Sequence, residues 1–167
     1  MPSGVYRVDQ VRAAEEKLMR TVPAAELMQR AARGLLNVCV DIITTRGRVA
    51  GANVVALIGS GNNGGDALWA VAGLATRGAT VVAVGVGPTM HREGAAALLA
   101  AGGNIIDAHD GAAEVDLAGT DLVVDGITGI GGRGALRGPA LIWVRAAAAS
   151  GAMIVAVDVP SGVDADT

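Results

Sequence analysis

Acidic, amide and hydroxyl side chains concentrate in three glycine-rich stretches of this 167-residue chain: GSGNNGGDA (59–67), DGITGIGGRGALRGP (125–139) and DVPSGVDADT (158–167). The first supplies Asn62, Asn63 and Asp66, the second Asp125, and the third Asp158 and Ser161. Oxygens gathered without histidine or cysteine suit a hard cation or a polyhydroxylated ligand. A carboxyl held among them can also give and take protons. Taken singly, each aspartate has a plainer use as a cap at a strand end. Either asparagine can simply let the chain enter a left-handed turn.

The first stretch contains a G-x-G-x-x-G from Gly59 to Gly64. In redox enzymes such glycines let backbone N–H groups at a helix start hold a pyrophosphate, and an acidic residue about 20 positions on binds the ribose. Here the second predicted strand ends in VGVGP, and the next carboxylate after Asp66 is Glu93. Asp66 stands near the predicted helix start, where a carboxylate satisfies N–H groups and repels a nearby phosphate. Ordinary nicotinamide redox binding is therefore disfavoured.

Two helices are predicted to open the chain: VDQVRAAEEKLMRTV, then AAELMQRAARGLLNVCVDIITT with Pro23 in its first turn. In the second, Leu27, Met28, Ala31, Leu35 and Val38 recur at helical spacing, and Met19 and Met28 read as core filler. From Asn53 the pattern alternates. Short β-branched runs at 53–58, 80–86, 104–107, 121–125 and 153–158 read as strands. ALWAVAGLATRG, HREGAAALLAAG and PALIWVRAAAASG between them read as helices, with one further short helix around Ala112 to Leu117. Such alternation predicts a parallel sheet covered on both faces, in the order 3-2-1-4-5. All three polar stretches then emerge at the carboxyl edge of the sheet, the first two flanking the switch point. The loops of the other edge, ATRGA and AAASGA, are chemically plain.

Length and composition fit one domain, spanning 1–167. With 51% hydrophobic and only 2% aromatic residues, the core must be built from small aliphatic side chains. A net charge of −3, with Lys17 the only lysine, argues against a nucleic-acid partner. Cys39 is the single cysteine, so an internal disulfide is impossible; in LLNVCVDII it reads as a buried, inert thiol. No apolar run reaches membrane-spanning length, and the first residues lack the pattern of a signal peptide. The expectation is a soluble cytoplasmic protein with no membrane partner.

Together these loops resemble the signature of the NAD(P)H-hydrate epimerase family, also called the YjeF N-terminal domain. That family shows a GxGNNGGDG-like loop, an Asp-Ala-x-x-Gly-x-Gly loop and an Asp-[IV]-Pro-Ser-Gly-[LV]-Asp-Ala-Asp-Thr loop. The corresponding residues here are GSGNNGGDA, DGITGIG and DVPSGVDADT, and ELMQRAARG is similar to the family's Leu-Met-x-x-Ala-[GA] segment. The resemblance implies a three-layer α/β/α Rossmann-like domain with a mainly parallel sheet and two N-terminal helices. It implies an isomerase that interconverts the R and S forms of hydrated NADH and NADPH (NADHX and NADPHX), binds a potassium ion and forms homodimers. Substrate contacts would fall on Asn62, Asn63, Gly64, Gly65 and Asp66. They would continue on Gly129, Ile130, Gly131, Gly132, Arg133, Gly134 and Ala135, and on Asp158. Potassium ligands would be Asn63, Asp125 and Ser161.

Asp158 is the expected acid–base group, because it ends an apolar strand and is fixed by the following VPSG turn. Two departures from the family pattern stand out: Ala67 for a glycine and Gly126 for an alanine. The chain also stops at Thr167, where the family usually continues, and some bacterial relatives add an ADP-dependent dehydratase domain. Two other functions fit the fold. One is a non-catalytic module of the same family binding a protein or other ligand, which degenerate loops would mark. The other is a small transferase using the first loop for phosphate. All four of Asn63, Asp125, Asp158 and Ser161 are in place.

Overall fold

The computed structural model describes residues 4–108 and 117–166. Its elements run α1 (Val8–Met19), α2 (Ala24–Thr44), β1 (Asn53–Ile58), α3 (Asn62–Thr76), β2 (Thr80–Gly85), α4 (Arg92–Ala100), β3 (Asn104–Asp107), β4 (Leu122–Gly126), α5 (Gly138–Ala149) and β5 (Met153–Ala156). The five strands form one sheet in the order β3-β2-β1-β4-β5. Every pairing is parallel, for example Val55 with Val82 on one side and with Val123 on the other. The predicted order is the observed one. The short helix expected around Ala112 to Leu117 falls mostly on 109–116, outside the described residues; Leu117 is buried.

Alternation along β1 shows how the sheet divides two cores. Val54, Ala56 and Ile58 face a layer containing Leu36, Cys39, Leu68, Val71, Leu74 and Leu98. Val55 and Leu57 face the opposite layer, with Trp143 and Ala147 of α5. Side chains on successive residues of a strand point to opposite faces, so a continuous apolar run fills both cores at once. The result is the α/β/α sandwich expected from the sequence.

Four expectations change. In α2 the buried stripe is Ala32, Leu36, Cys39 and Ile43, offset from the predicted set; Val38 is 48% exposed. The run LLNVCVDII is apolar on nearly every side, so its spacing does not single out one face. Met19 and Met28 border a cleft and do not fill the core. Pro23 is the N-cap of α2, one position ahead of its first turn. Finally, α3 begins at Asn62, so NNGGD belongs to the helix and only Gly59 to Gly61 form the turn.

Close packing sets the glycines at this junction. A Cβ on Gly59 would run into the Ile127 carbonyl, and one on Gly64 into the Gly59 carbonyl. The Gly59 N–H donates to the Gly126 carbonyl at 3.1 Å, tying the β1 exit to the end of β4. The helix start is thereby pinned against the switch point.

Candidate active site

A cleft of about 890 Å³ opens over the carboxyl ends of β1, β4 and β5. Its polar side is formed by Asn62, Asn63 and Asp66 of α3, by Thr128 to Gly132 after β4, and by Asp158 after β5. The facing wall comes from the N-terminal helices: Arg12, Glu15, Leu18 and Met19 of α1, and Leu27, Met28 and Gln29 of α2. Trp69 and His91 also line it. Three stretches separated by many tens of residues thus meet at one place, as expected for a switch-point crevice.

Beneath the cleft, Asp125 binds the second and third loops together. Its Oδ2 accepts from the Ser161 N–H at 2.9 Å, and its Oδ1 accepts from the Ser161 hydroxyl at 2.6 Å and from the Ile127 N–H at 3.3 Å. The Ser161 Oγ in turn accepts from the Thr128 N–H at 3.0 Å. Asp125 is only 6% exposed. These contacts hold the 125–129 and 158–161 segments in a fixed mutual position.

Asn63 is 7% exposed, yet neither Oδ1 nor Nδ2 has a hydrogen-bond partner among the described residues. Leaving a buried polar group unpaired costs about 1–3 kcal/mol, so such an amide signals a missing partner. Gly129 lies against it: a Cβ there would stand 3.0 Å from Asn63 Oδ1 and would run into Asp158 Oδ2. Asp158 has φ +64°, the one described non-glycine residue in the left-handed region. Aspartate tolerates that region better than most side chains, at a cost. The turn aims an exposed carboxylate at the cleft.

Asp66 departs from its expected use. It sits beyond the first turn of α3 and caps nothing; its Oδ1 is buried without a partner. Burial, then the negative charges of Asp158 and Glu15, push its pKa up to about 7. Elsewhere the expected inert thiol is found: Cys39 is fully buried, and burial pushes its pKa up to about 12.

Of the residues expected to contact substrate, Asn62, Asn63, Asp66, Gly129, Ile130, Gly131, Gly132 and Asp158 line the cleft. Gly64 and Gly65 are buried within α3, and a Cβ on Gly65 would crowd Met28 Cε at 3.0 Å and His91 Cγ at 3.1 Å. Arg133, Gly134 and Ala135 are exposed and stand outside the cleft wall. Sequence reasoning missed Arg12, Glu15, Trp69 and His91. Arg12 and Glu15 fall on a charged helix with no loop signature, so only the spatial placement reveals them.

An oxygen-only donor set fits potassium. Asn63 Oδ1 lacks a partner, and Asp125 is the one formal charge among the three proposed ligands. No cluster of three or more His, Cys, Asp or Glu side chains able to hold a metal occurs among the described residues. A weakly charged site of neutral oxygens and one carboxylate suits a monovalent ion over a transition metal.

The fold and this cleft define an α/β domain with a ligand site at its topological switch point. Residues 24–167 match the family described as YjeF-related protein N-terminus, and the chain belongs to that family. It is 46% identical over 165 residues to a Mycobacterium tuberculosis protein named bifunctional NAD(P)H-hydrate repair enzyme Nnr, covering 97% of this chain and 33% of that one. It is 40% identical over 171 residues to the Clavibacter michiganensis NAD(P)H-hydrate epimerase, covering 96% of this chain and 71% of the relative. The chain therefore spans about a third of the length of the bifunctional relatives. A crystal structure of the yeast protein ynu0 superposes with a TM-score of 0.84 at 23% identity, covering 96% of this chain and 72% of that one, and supports the same fold.

Proposed function

We propose that this domain epimerises the R and S hydrates of NADH and NADPH. The observation that carries this reading is the convergence of Asn63, Asp66, Gly129 and Asp158 on one cleft, in a chain 40% identical to an NAD(P)H-hydrate epimerase. The reacting carbon, C6 of the nicotinamide ring, bears both the ring nitrogen and a hydroxyl. Protonating the hydroxyl lets it leave as water, and the nitrogen lone pair stabilises the cation as an iminium. Water returning on the other face gives the opposite epimer and releases one proton. Asp158, exposed beside Gly129, is the carboxylate that receives it. A positioned acid or base of this kind contributes roughly 10²–10⁴-fold.

Potassium belongs to the same reading. Asn63, Asp125 and Ser161 would hold it, and it would supply a fixed positive charge at the floor of the cleft. A homodimer, which the family resemblance implies, is also part of it, as is a cytoplasmic setting. So is an ADP-dependent dehydratase acting on the same hydrates, since relatives are named bifunctional repair enzymes. No helix among the described residues is long and apolar enough to cross a membrane.

The test is to incubate each purified epimer of NADHX with the protein in potassium buffer and follow it by chromatography. Either epimer should reach the same final mixture faster than without protein. Spontaneous rates from both sides would overturn the reading. Potassium should raise the melting temperature over an equal concentration of a larger organic cation, since a ligand bound only by the folded state stabilises it. Asp125→Ala should abolish that increment; an unchanged increment removes Asp125 from the ligand set.

A further inference from the structure

Asp66 is a part-buried ionisable group in the cleft wall that none of the steps above employs. Its Oδ1 is shielded from solvent and lacks a partner, although the residue borders the cleft. Charged and titratable groups line the same cleft from several elements, and of these Asp158 and Glu15 raise the Asp66 pKa. Asp158 comes from the turn after β5, and Glu15 and Arg12 from α1 across the cleft. His91 and Glu93 come from the start of α4. His91 Nδ1 accepts the Gly94 N–H at 3.1 Å. Arg12 lies toward Gly131, where a Cβ would meet its Nη2 at 2.8 Å. No ion pair joins Arg12 to Asp66 among the described residues. Partial burial and two carboxylates therefore act on Asp66 with no side-chain cation paired to it, while a potassium ion at Asn63 would act in the opposite sense.

We propose that Asp66 is the catalytic acid of the epimerisation, donating a proton to the departing C6 hydroxyl. This rests on the epimerase reading and deepens it by dividing the work between two carboxyls. Asp66 donates the proton and Asp158 accepts one. The proton passes from the Asp66 carboxyl to the hydroxyl oxygen, the C6–O bond breaks, and water departs. The incoming water bonds to C6 from the other face and loses its surplus proton to Asp158. Exchange between the neighbouring carboxyls returns that proton to Asp66, and no other reactant is consumed. An ordinary aspartate, with a pKa of about 3.9, would hold almost no proton at neutral pH. One raised to about 7 is half loaded there, which suits a general acid. Paired carboxyls whose surroundings drive them apart mark such a division of roles elsewhere.

The sign of the pH dependence follows. The acid must be protonated, so turnover falls as pH rises through about 7, after subtraction of the spontaneous rate. Asp158→Asn removes one of the charges that raise the Asp66 pKa, so the falling limb moves to lower pH.

The experiment compares Asp66→Asn with the parent for kcat, KM and pH profile. Expected is a loss of roughly 10²-fold or more in kcat with KM changed by less than about threefold, and a lost limb near neutrality. A variant keeping more than about a tenth of parental kcat, a factor well short of that range, overturns the role. Carboxyl ¹³C titration of the parent without substrate supplies a readout independent of turnover. One aspartate should titrate near neutrality, be absent in Asp66→Asn and shift downward in Asp158→Asn. If every carboxyl titrates in the ordinary range of about 3–5, Asp66 is not the acid. A parent that fails to epimerise overturns the functional reading and this role with it. An active parent with an active Asp66→Asn overturns this role alone.

Discussion

Ala67 and Gly126 reverse the residue types that the family usually carries at these two positions, and the fold brings them into contact. A Cβ on Gly126 would stand 2.6 Å from the Ala67 Cβ, so only one of the two can carry a methyl group without displacement. Glycine at 126 leaves room for the Ala67 methyl group where the start of α3 packs on β4. Gly126→Ala alone should destabilise the domain by about 1–3 kcal/mol through overpacking. Adding Ala67→Gly should recover most of that, with a coupling of about 1 kcal/mol or more between contacting sites. Urea unfolding of the two single variants and the double variant measures it. Additivity within about 0.5 kcal/mol would deny the contact its role. At this scale the sequence showed where residue types able to do chemistry gather, but not their state. Asn63, Asp66, Asp125, Asp158 and Ser161 stand out by type and spacing alone. That Asp125 is engaged by Ser161 and Ile127 while Asn63 and Asp66 Oδ1 have no partner among the described residues depends on side-chain positions that no local pattern encodes.

The elements contribute unequally to stability and to the site. Helix α3 is buried along most of its length and anchors the polar floor, whereas α1 has no buried residue at all. A lone helix of 12 residues is marginal in water, so α1 depends on what little it touches. One such contact is the Val8 N–H donating to Asp166 Oδ1 at 3.0 Å, which joins α1 to the third loop. Yet α1 supplies Arg12, Glu15, Leu18 and Met19 to the cleft wall. A chain beginning at Pro23 should therefore melt within about 3 °C of the parent, the shift of a 1 kcal/mol change in a domain of this length. Its KM should rise by roughly tenfold, the equivalent of 1.4 kcal/mol of lost binding. Scanning calorimetry and initial rates test this; a large stability loss with unchanged KM would make α1 structural. Helix and strand types were legible because hydrophobic spacing differs sharply between them. The face of α2 was not, since its apolar stretch offers several equivalent stripes. The role of α1 was hidden because a charged amphipathic helix looks the same on a free surface and over a cleft.

On the scale of the whole molecule, strand order decides where chemistry can occur. Placing β1 beside β4 brings the ends of β1, β4 and β5 to one edge, and every oxygen-rich stretch lies there. At the opposite edge lies a smaller hollow of about 270 Å³, lined by Ile42, Arg46, Arg48, Asp121 and Met153 among others. Its Asp121 is occupied structurally, with Oδ2 accepting the Asn53 N–H at 2.7 Å. This asymmetry was readable from the sequence, because parallel strands fix which loops share an edge. The central claim is that the cleft at the carboxyl edge holds a nicotinamide hydrate with its reactive carbon between two carboxyls. A crystal structure of the protein soaked with NADPHX in potassium buffer tests it most directly. The account expects the hydrated ring in this cleft, with the C6 hydroxyl within hydrogen-bonding distance of Asp66 and the opposite face of C6 open toward Asp158. A ring bound elsewhere, or lying in the cleft with C6 remote from both carboxyls, would contradict it.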